Sequence, residues 1–224
     1  MQMEKTISKA VILGASGGVG RQLARELAQR TDQLVLVGRD EAKLTQLQED
    51  LSGVRAKLSC RVLDLLDAAA VDDFAQQLEA DLLINCCGVA NFGPALSLSE
   101  AAENALWQVN YQAPIRLIKQ VAERNCKIRL VQLSSLAALC PHPYLAAYSA
   151  SKAALQTYCL ALQEELHLKG SEMTVCLYVL GPVRTAIFPP ELQNALGGSQ
   201  LQMSPEIAAR RIIRLLQQGR SYAI

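Results

Sequence analysis

Apolar residues follow two alternating patterns along the chain: short continuous apolar runs, and longer segments in which apolar positions recur every three or four residues. Runs of the first kind are typical of strands buried on both faces of a sheet, and segments of the second kind are typical of amphipathic helices. Their alternation favours βαβ units. The sequence therefore predicts an α/β fold with one doubly wound parallel sheet flanked by helices.

The pattern predicts seven strands and six helices. Pro114 lies inside the longest predicted helix and is expected to bend that helix or split its start, because proline lacks a backbone N–H. The last strand is short and is expected at an edge of the sheet. The predicted strands are residues 9–13, 33–37, 57–63, 81–85, 128–133, 173–180 and 222–224, and the predicted helices are residues 18–30, 41–51, 68–78, 103–124, 148–168 and 205–217.

The chain has 224 residues, which is enough for one domain or for one domain with a small lid. We expect residues 1–224 to form a single domain. Residues 182–203 lack strong periodicity and follow the sixth strand, where the carboxyl ends of parallel strands form a ligand crevice. A mobile lid is predicted there, with Phe188 and Leu192 closing over an apolar substrate; the alternative is an ordinary surface connection.

Composition argues against several classes of partner. The chain has 22 basic and 21 acidic residues, a formal net charge of +1, which argues against nucleic-acid binding because that binding depends on clustered basic residues. No apolar run approaches the roughly 18–20 residues of a membrane-spanning helix, and residues 1–9 lack the apolar core of a signal peptide. The expectation is a soluble cytoplasmic protein with no nucleic-acid or membrane partner.

The seven cysteines and two histidines do not form a metal-binding pattern. There is no CxxC pair, and no set of four ligands has the paired spacing of a zinc site. No metal is therefore predicted. The cysteines are expected to be buried thiols in a reducing compartment.

A glycine-rich loop at residues 14–20 joins the first strand to the first helix. Glycines let the backbone approach a pyrophosphate, and the amides at the start of the helix favour an anion. The loop lacks the Gly-Lys-Ser/Thr ending of an ATP-binding loop, so a dinucleotide is favoured and a Rossmann-type domain is predicted. The residues predicted to hold the cofactor here are Gly14, Ser16, Gly17, Gly18, Val19 and Gly20.

The end of the second strand indicates which dinucleotide is bound. An acidic residue at this position typically binds the ribose 2′-hydroxyl of NAD. This chain has Arg39 after Gly38, and a guanidinium suits the 2′-phosphate of NADP. NADP(H) is therefore predicted as the preferred cofactor, with NAD(H) as the second choice. In the alternative interpretation, Arg39 is a solvated residue at a helix start and Asp40 caps the helix.

Tyr148 and Lys152 are four residues apart in a predicted helix, so their side chains share one face. A nearby ammonium lowers the pKa of a phenol, and such a tyrosine can exchange a proton with a carbonyl or alcohol. Ser135 comes earlier, at the carboxyl end of the fifth strand. Its hydroxyl is expected to hold the substrate oxygen beside Tyr148.

Taken in order, these motifs resemble those of the short-chain dehydrogenase/reductase family over nearly the whole chain. The sequence departs from the family pattern at Leu13, where threonine is usual, at Cys86-Cys87, where Asn-Ala is common, and at Leu180, where proline is common. The matching motifs are GASGGVG at 14–20, Asp64-Leu65, Asn85-Cys-Cys-Gly88, Asn110, Ser134-Ser135, YSASK at 148–152 and GPVRT at 181–185.

The resemblance implies a catalytic tetrad and further cofactor contacts. Tyr148 would be the general acid/base, Ser135 would position the carbonyl, and Lys152 would bind the nicotinamide ribose and tune Tyr148. Asn110 would hold a water that relays protons. The remaining implied contacts are Asp64 and Leu65 against the adenine, Asn85 and Gly88 along the cofactor, and Val183 and Thr185 near the carboxamide.

The implied function is an NADP(H)-preferring oxidoreductase that transfers hydride between the cofactor and a small carbonyl or alcohol substrate. The alternative is a non-catalytic NADP-binding sensor or scaffold, although such a protein does not need an acid/base pair. The predicted helices at 103–124 and 148–168 resemble those of the family's dimer interface. A homodimer or homotetramer is therefore expected.

Overall fold

The computed structural model describes residues 7–124, 127–188 and 202–224, and its core is a parallel sheet. Within these ranges the sheet has seven strands in the order β3-β2-β1-β4-β5-β6-β7. This architecture confirms the predicted doubly wound α/β fold. The strands are β1 (Lys9–Leu13), β2 (Gln33–Gly38), β3 (Lys57–Val62), β4 (Leu82–Asn85), β5 (Arg129–Ser135), β6 (Thr174–Leu180) and β7 (Tyr222–Ala223).

Helices cover both faces of the sheet. Apolar residues of α1, α2 and α7 pack on one face, and those of α3, α5 and α6 pack on the other. The helices are α1 (Gly18–Ala28), α2 (Glu41–Asp50), α3 (Ala68–Gln76), α4 (Glu100–Trp107), α5 (Ala113–Glu123), α6 (Ala146–Leu168) and α7 (Pro205–Gln217).

The central strand β1 explains the continuous apolar runs. Ala10 and Ile12 belong to the core on one face, whereas Val11 and Leu13 belong to the core on the other. Successive side chains of a strand point to opposite faces, so a strand covered on both sides is apolar at every position.

The strand order reverses at β1, since β2 and β3 are added on one side of this strand and β4 to β7 on the other. This strand lies between β2 and β4, and Leu13 pairs with Asn85 at their carboxyl ends. In open α/β sheets the ligand crevice forms outside the carboxyl ends of the strands where the order reverses. The fold therefore creates its main crevice between the segments that follow β1 and β4.

The helix predicted at residues 103–124 is split before Pro114, which confirms the expected interruption, and it begins three residues earlier than predicted. Helix α4 begins at Glu100, where the Ser99 side chain accepts a hydrogen bond from the Ala102 N–H at 3.3 Å. A π-helical segment, Gln108–Gln112, then separates α4 from α5. Pro114 lies in the first turn of α5, because a proline has no N–H to continue the α-helical ladder.

Other predicted boundaries need smaller corrections. Helix α6 begins at Ala146, two residues before the predicted start, and β5 continues to Ser135 because its backbone still pairs with Leu180 of β6. The remaining ends agree with the prediction within a few residues. Among the described helices, none is long and apolar enough to cross a membrane.

The expectation that all cysteines are buried is wrong for two of them. Cys60 and Cys140 are exposed, because both lie outside the apolar core. Cys159 and Cys176 are buried as predicted, and Cys86 and Cys87 are partly buried. Cys126 lies outside the described residues.

Most of the predicted lid, residues 189–201, lies outside the described residues, including Leu192. The two described ends of the segment are joined. The Arg184 N–H donates to the Met203 carbonyl at 2.9 Å, and the Met203 N–H donates to the Pro182 carbonyl at 2.8 Å. The closing of a lid and the assignment of residues 1–224 to a single domain stay predictions.

Candidate active site

The glycine loop is held in shape by its own backbone. Gly14 has a φ of +76°, a conformation that favours glycine, and its N–H donates to the Val37 carbonyl at 2.8 Å. The Gly17 N–H donates back to the Gly14 carbonyl at 3.0 Å. A Cβ on Gly20 would overlap the Gly14 carbonyl oxygen, so this helix can approach the loop so closely only with glycine there.

The start of α1 offers unsatisfied backbone donors. Gly17 is the N-cap residue, so no side chain caps the helix, and the first turn contains no acidic residue. Free N–H groups at a helix start bind anions. Gly18 faces the segment after β6, since a Cβ on Gly18 would lie 2.6 Å from Thr185 Cγ2. The fold therefore brings Thr185 to the glycine loop, whereas its predicted contact with a carboxamide stays a prediction.

Arg39 extends from the end of β2 and is exposed. Among the described residues it has no ion pair and no hydrogen bond. Asp40 caps α2, because its carboxylate accepts the Lys43 N–H at 3.0 Å and pairs with Lys43 Nζ at 2.9 Å. These contacts lower the pKa of Asp40. The predicted cap is confirmed, and Arg39 is left with a free guanidinium beside the glycine loop.

The segment after β3 contains Asp64 and Leu65, and each of these two predicted site residues accepts a hydrogen bond. Asp64 accepts the Leu66 N–H at 2.9 Å, and the carbonyl of Leu65 accepts a hydrogen bond from Gln108 Nε2 at 3.3 Å. The Leu65 side chain is buried. Gln108 belongs to the π-helical segment, and no pattern in the sequence identified its contact with this distant turn.

Asn85 at the end of β4 is buried and braces the turn that follows. Its side-chain N–H donates to Gln132 Oε1 at 2.9 Å, and its oxygen accepts the Cys87 N–H at 3.0 Å. Cys87 packs against Gly14, where a Cβ would lie 3.2 Å from its sulfur. Burial raises the pKa of the Cys87 thiol to about 12. Gln132 was missed by the sequence analysis, although a polar residue within an apolar strand was a usable signal.

Asn110 is buried in the π-helical segment and ties this segment to the turn after β4 and to α6. Its oxygen accepts the Val89 N–H at 2.9 Å, and its N–H groups donate to the Val89 carbonyl at 2.9 Å and to Ser151 Oγ at 3.0 Å. The Ser151 hydroxyl donates in turn to the Tyr148 carbonyl at 2.8 Å. Asn110 therefore connects three segments of the crevice.

Ser135 and Tyr148 are brought together by β5 and α6. The Ser135 hydroxyl accepts the Ala137 N–H at 3.2 Å and lies close enough to the phenol of Tyr148 to affect its protonation. Burial raises the pKa of Tyr148, and the nearby Ser135 hydroxyl opposes that rise. The predicted lowering of this pKa by Lys152 is therefore wrong for the protein without ligands, because the phenolate would be poorly solvated in its apolar surroundings.

Lys152 has a buried ammonium group directed towards the end of β5. Nζ donates to the Leu133 carbonyl at 3.1 Å. Burial lowers the pKa of this group from 10.5 to about 8, and nearby thiols oppose that effect. A Cβ on Gly88 would lie 3.4 Å from Lys152 Nζ and 3.5 Å from Asn110 Oδ1. Gly88 therefore lies directly beside both polar groups, and a side chain there would contact them.

The phenol of Tyr148 lies within an apolar cluster with Leu106 and Leu145. The ring of Phe188 approaches that of Tyr148 edge-on, with centroids 5.5 Å apart. This contact places Phe188 beside Tyr148, and its closing over a substrate stays a prediction. Val183, also predicted as a site residue, forms an isolated bridge with Met203 on the same side.

The described geometry brings two groups of predicted residues to one edge of the sheet. Strand order places the ends of β3, β2 and β1 on one side of the crevice and those of β4, β5 and β6 on the other. The first group surrounds the uncapped amides of α1, and the second surrounds the neighbouring hydroxyls of Ser135 and Tyr148. Such an arrangement can bind an extended anionic ligand and transfer a proton at one end of it.

Comparison with known proteins identifies the class. A family model described as short chain dehydrogenase matches residues 8–195. The chain therefore belongs to the short-chain dehydrogenase/reductase family. A curated relative, dehydrogenase/reductase SDR family member 7B of Xenopus laevis, is 31% identical over 179 residues, which cover 74% of this chain and 55% of the relative. The chain spans about half the length of the curated relatives it matches.

Solved structures share the fold over almost the whole chain. A short-chain dehydrogenase/reductase from Burkholderia phymatum in complex with NAD has a TM-score of 0.84 and 24% identity, covering 99% of this chain and 89% of its own. A metagenomic short-chain oxidoreductase in complex with NADP has a TM-score of 0.78 and 26% identity, covering 97% and 95%. These similar structures include complexes with each of the two nicotinamide cofactors.

Proposed function

We propose that this protein is an NADP(H)-preferring oxidoreductase that transfers hydride between the cofactor and a carbonyl or alcohol, with Tyr148 as the general acid/base. The closeness of the Ser135 hydroxyl to the Tyr148 phenol carries this proposal. Two hydroxyl groups at one point can together hold a carbonyl oxygen and donate a proton to it. The dehydrogenase/reductase name of the Xenopus relative supports the same reaction class.

The residues present fit a nicotinamide dinucleotide. The uncapped amides of α1 suit a pyrophosphate, and Gly88 places no side chain against the polar groups of Lys152 and Asn110. When bound, the nicotinamide supplies or accepts the hydride. The other proposed contacts are Asp64 and Leu65 with the adenine, and Val183 and Thr185 with the carboxamide.

The side chains of the site would handle the proton. Burial raises the pKa of Tyr148, so its phenol is protonated at neutral pH and suited to donate a proton to a carbonyl oxygen during reduction. Ser135 would hold that oxygen, and the Lys152 ammonium would stabilise the phenolate that remains. Asn110 would hold the water that returns a proton. These roles favour carbonyl reduction over alcohol oxidation near pH 7.

The proton-donor role is tested by Tyr148→Phe, with Tyr222→Phe at the far edge of the sheet as the matched control. Turnover with NADPH on a panel of ketones and aldehydes should fall by about 10²–10⁴-fold in Tyr148→Phe and stay unchanged in the control. NADPH affinity, measured by calorimetry, should change little. Near-full turnover in Tyr148→Phe would contradict the assignment.

The NADP preference rests on the free guanidinium of Arg39. A charge-assisted contact with the 2′-phosphate contributes about 1.5–3 kcal/mol, or roughly tenfold to a hundredfold in affinity. NADPH should therefore bind more tightly than NADH, and Arg39→Asp should reverse the order. Arg211→Asp, an exposed residue of α7, is the charge-matched control. Equal dissociation constants for the two cofactors in the unmodified protein would refute the preference.

The same measurements test the non-catalytic alternative. Tight NADPH binding without turnover on any carbonyl substrate would favour an NADP-binding sensor or scaffold. In that case Tyr148→Phe would have no activity to lose, whereas Arg39→Asp would still alter cofactor binding.

We also propose self-association through the face formed by α4, the π-helical segment and α6. The rings of Trp107, Tyr111 and Tyr158 form an edge-to-face series on this face, with centroids 5.9 Å and 6.4 Å apart, and all three are partly exposed. Aromatic residues are enriched in protein interfaces. Sedimentation should give a dimer or tetramer, and Tyr158→Glu should dissociate it; a monomeric unmodified protein would contradict the proposal.

A further inference from the structure

Tyr144, in the loop between β5 and α6, has a backbone conformation that its side chain does not favour. Its φ of +70° is the only positive value found for a non-glycine residue among those described. Bulky residues rarely adopt this region, and strain of this kind is concentrated at functional sites. The Gly93 N–H donates to the Tyr144 carbonyl at 3.0 Å and thereby joins this loop to the one after β4.

Core packing does not account for a tyrosine at this position. The Tyr144 residue is 53% exposed, so burial contributes little to offset the strain. Its ring meets one aromatic neighbour, Phe92, with centroids 5.4 Å apart and planes at 68°. The two rings therefore form an aromatic pair that bridges two loops beside Tyr148.

A groove lies next to this pair. It has a volume of about 250 Å³ and is lined by Asn91, Phe92, Tyr144, Ala146, Ala147 and residues 93–95, 97 and 98, together with Glu103. Phe92 and Ala147 also pack in the apolar cluster around Tyr148, so the groove adjoins the proton-transfer point. Benzene is held in an engineered apolar cavity of about 150 Å³, and a phenyl group therefore fits the available volume.

Apolar side chains, among them Leu106 and Leu145, pack around Tyr148. Lys152 lies on the cofactor side and is directed to the Leu133 carbonyl. His142 accompanies Tyr144 in its loop, but its Nδ1 lies 2.7 Å from the Pro143 carbonyl. The carbonyl group of a substrate would therefore have apolar surfaces beside it.

We infer that the Phe92–Tyr144 pair determines substrate specificity and selects carbonyl compounds with an aromatic or similarly bulky apolar substituent. The inference rests on the proposed oxidoreductase function and adds the substrate class. The substituent lies in the groove against the two rings while the carbonyl oxygen meets Ser135 and Tyr148. Tyr144 contributes apolar contact and takes no part in proton transfer.

The test compares two ketones that differ only in that substituent. Propiophenone carries a phenyl group where 2-butanone carries a methyl group. The ratio of their kcat/KM values is measured with NADPH for the unmodified protein, Tyr144→Gly and Tyr144→Phe. Glycine removes both the ring and the strain, and phenylalanine keeps the ring and removes the hydroxyl. Phe92→Ala removes the partner ring without changing the strained residue.

The unmodified protein should prefer propiophenone. That preference should fall about tenfold in Tyr144→Gly and Phe92→Ala, the scale set by lost apolar contact in a pocket, and should persist in Tyr144→Phe. Thermal unfolding should show Tyr144→Gly at least as stable as the unmodified protein. An unchanged ratio in Tyr144→Gly, or a marked loss of its stability, would overturn the inference and leave the proposed function intact.

A binding measurement separates failure of this inference from failure of the proposed function. Propiophenone affinity for the NADPH-loaded protein is measured by calorimetry in the same variants. If no ketone is reduced, the proposed function fails; weaker propiophenone binding in Tyr144→Gly would still support the aromatic pair as its binding surface. Propiophenone binding that is absent, or equal in all variants, would overturn the inference whatever the activity.

Discussion

The two sides of the crevice are built in different ways. On the cofactor side, one short loop between β1 and α1 is fixed by backbone hydrogen bonds, such as the one from Gly14 to Val37. On the substrate side, residues 89–99, 136–145 and 181–188 come from distant parts of the chain. They are joined by isolated contacts, among them the bond from Gly93 to Tyr144.

This difference indicates that the backbone shape of the glycine loop must stay constant, whereas the side chains of the substrate-side loops can vary. Backbone amides bind a phosphate regardless of neighbouring side chains, so the glycine loop tolerates little change in shape and much change in its surroundings. The substrate side presents side chains on loops, where substitutions alter the pocket without disturbing the sheet. We therefore expect cofactor-side changes to affect stability and cofactor affinity, and substrate-side changes to affect selectivity.

The largest expected difference comes from the same leucine substitution on the two sides. Leu36 in β2 is fully buried, whereas Leu96 in the loop after β4 is fully exposed. Leu36→Ala should lower the free energy of unfolding by about 2–5 kcal/mol because it leaves a cavity. Leu96→Ala should change it by less than about 0.5 kcal/mol. Urea denaturation measures both, and similar losses would contradict the contrast.

Alanine substitutions at Gly20 and Gly93 test whether the close approach of the glycine loop and α1 is needed. Gly20→Ala would force a Cβ into the Gly14 carbonyl, whereas a Cβ on Gly93 meets nothing within 4 Å. Gly20→Ala should cost about 1–3 kcal/mol of stability, as overpacking does, and should weaken NADPH binding. Gly93→Ala should leave both nearly unchanged. If Gly20→Ala binds NADPH normally, the close approach of loop and helix is not needed for the anion site.

Lys152 belongs to the substrate-side helix but provides a pH-dependent test of burial. Its folded pKa of about 8 lies below its ordinary value of 10.5, because burial disfavours the charged form. Between these values the unfolded chain holds a proton that the folded chain has released, so stability rises with pH.

Relative to Lys152→Met, the unmodified protein should therefore gain about 1 kcal/mol between pH 8 and pH 9. Unfolding titrations of both proteins without cofactor measure the gain. Burial also raises the pKa of Cys159 above its ordinary value of 9.0. Above pH 9 the unfolded chain loses this thiol proton while the folded chain keeps it, and stability therefore falls. The comparison is for this reason made between pH 8 and pH 9. A difference that does not change with pH would show that the ammonium is solvated.

The smallest expected effect comes from a contact that crosses between the two sides. Gln108 in the π-helical segment donates to the Leu65 carbonyl at 3.3 Å. Gln108→Leu should weaken NADPH binding by about twofold, the equivalent of about 0.5 kcal/mol for one long hydrogen bond. Gln112→Leu, an exposed position of the same segment, is the control. A much larger effect would mean that the two sides are more strongly coupled than the geometry indicates.

The position of the glycine loop between β1 and α1 and the placing of Tyr148 and Lys152 on one helix were predictable because each depends on neighbours within one turn of chain. A loop between a strand and a helix, or two residues on one helix face, has its geometry set by local backbone preferences. The π-helical segment was not predictable in the same way. Pro114 indicated an interruption of the helix. The position of the π-helical segment depended on the contacts of Asn110 with Val89 and Ser151.

The pKa of Tyr148 was likewise not predictable from local sequence alone. The spacing to Lys152 indicated a lowered pKa, but the sequence does not specify how far the phenol is buried. In the fold, the apolar cluster of Tyr148 with Leu106 and Leu145 comes from separate parts of the chain. Burial by these distant residues raises the pKa, and the Ser135 hydroxyl, not the Lys152 charge, opposes that rise.

The sequence by itself determined the order of strands and helices, the parallel sheet and the anion-binding loop, because apolar periodicity and glycine geometry act over a few residues. Tertiary structure alone decided the contacts of Asn85 with Gln132, of Gln108 with Leu65, and of Tyr144 with Phe92. Each joins residues on separate elements, and their meeting depends on how helices and loops pack against the sheet. Side chains far apart in sequence become neighbours only when the sheet has formed and fixed the ends of its strands.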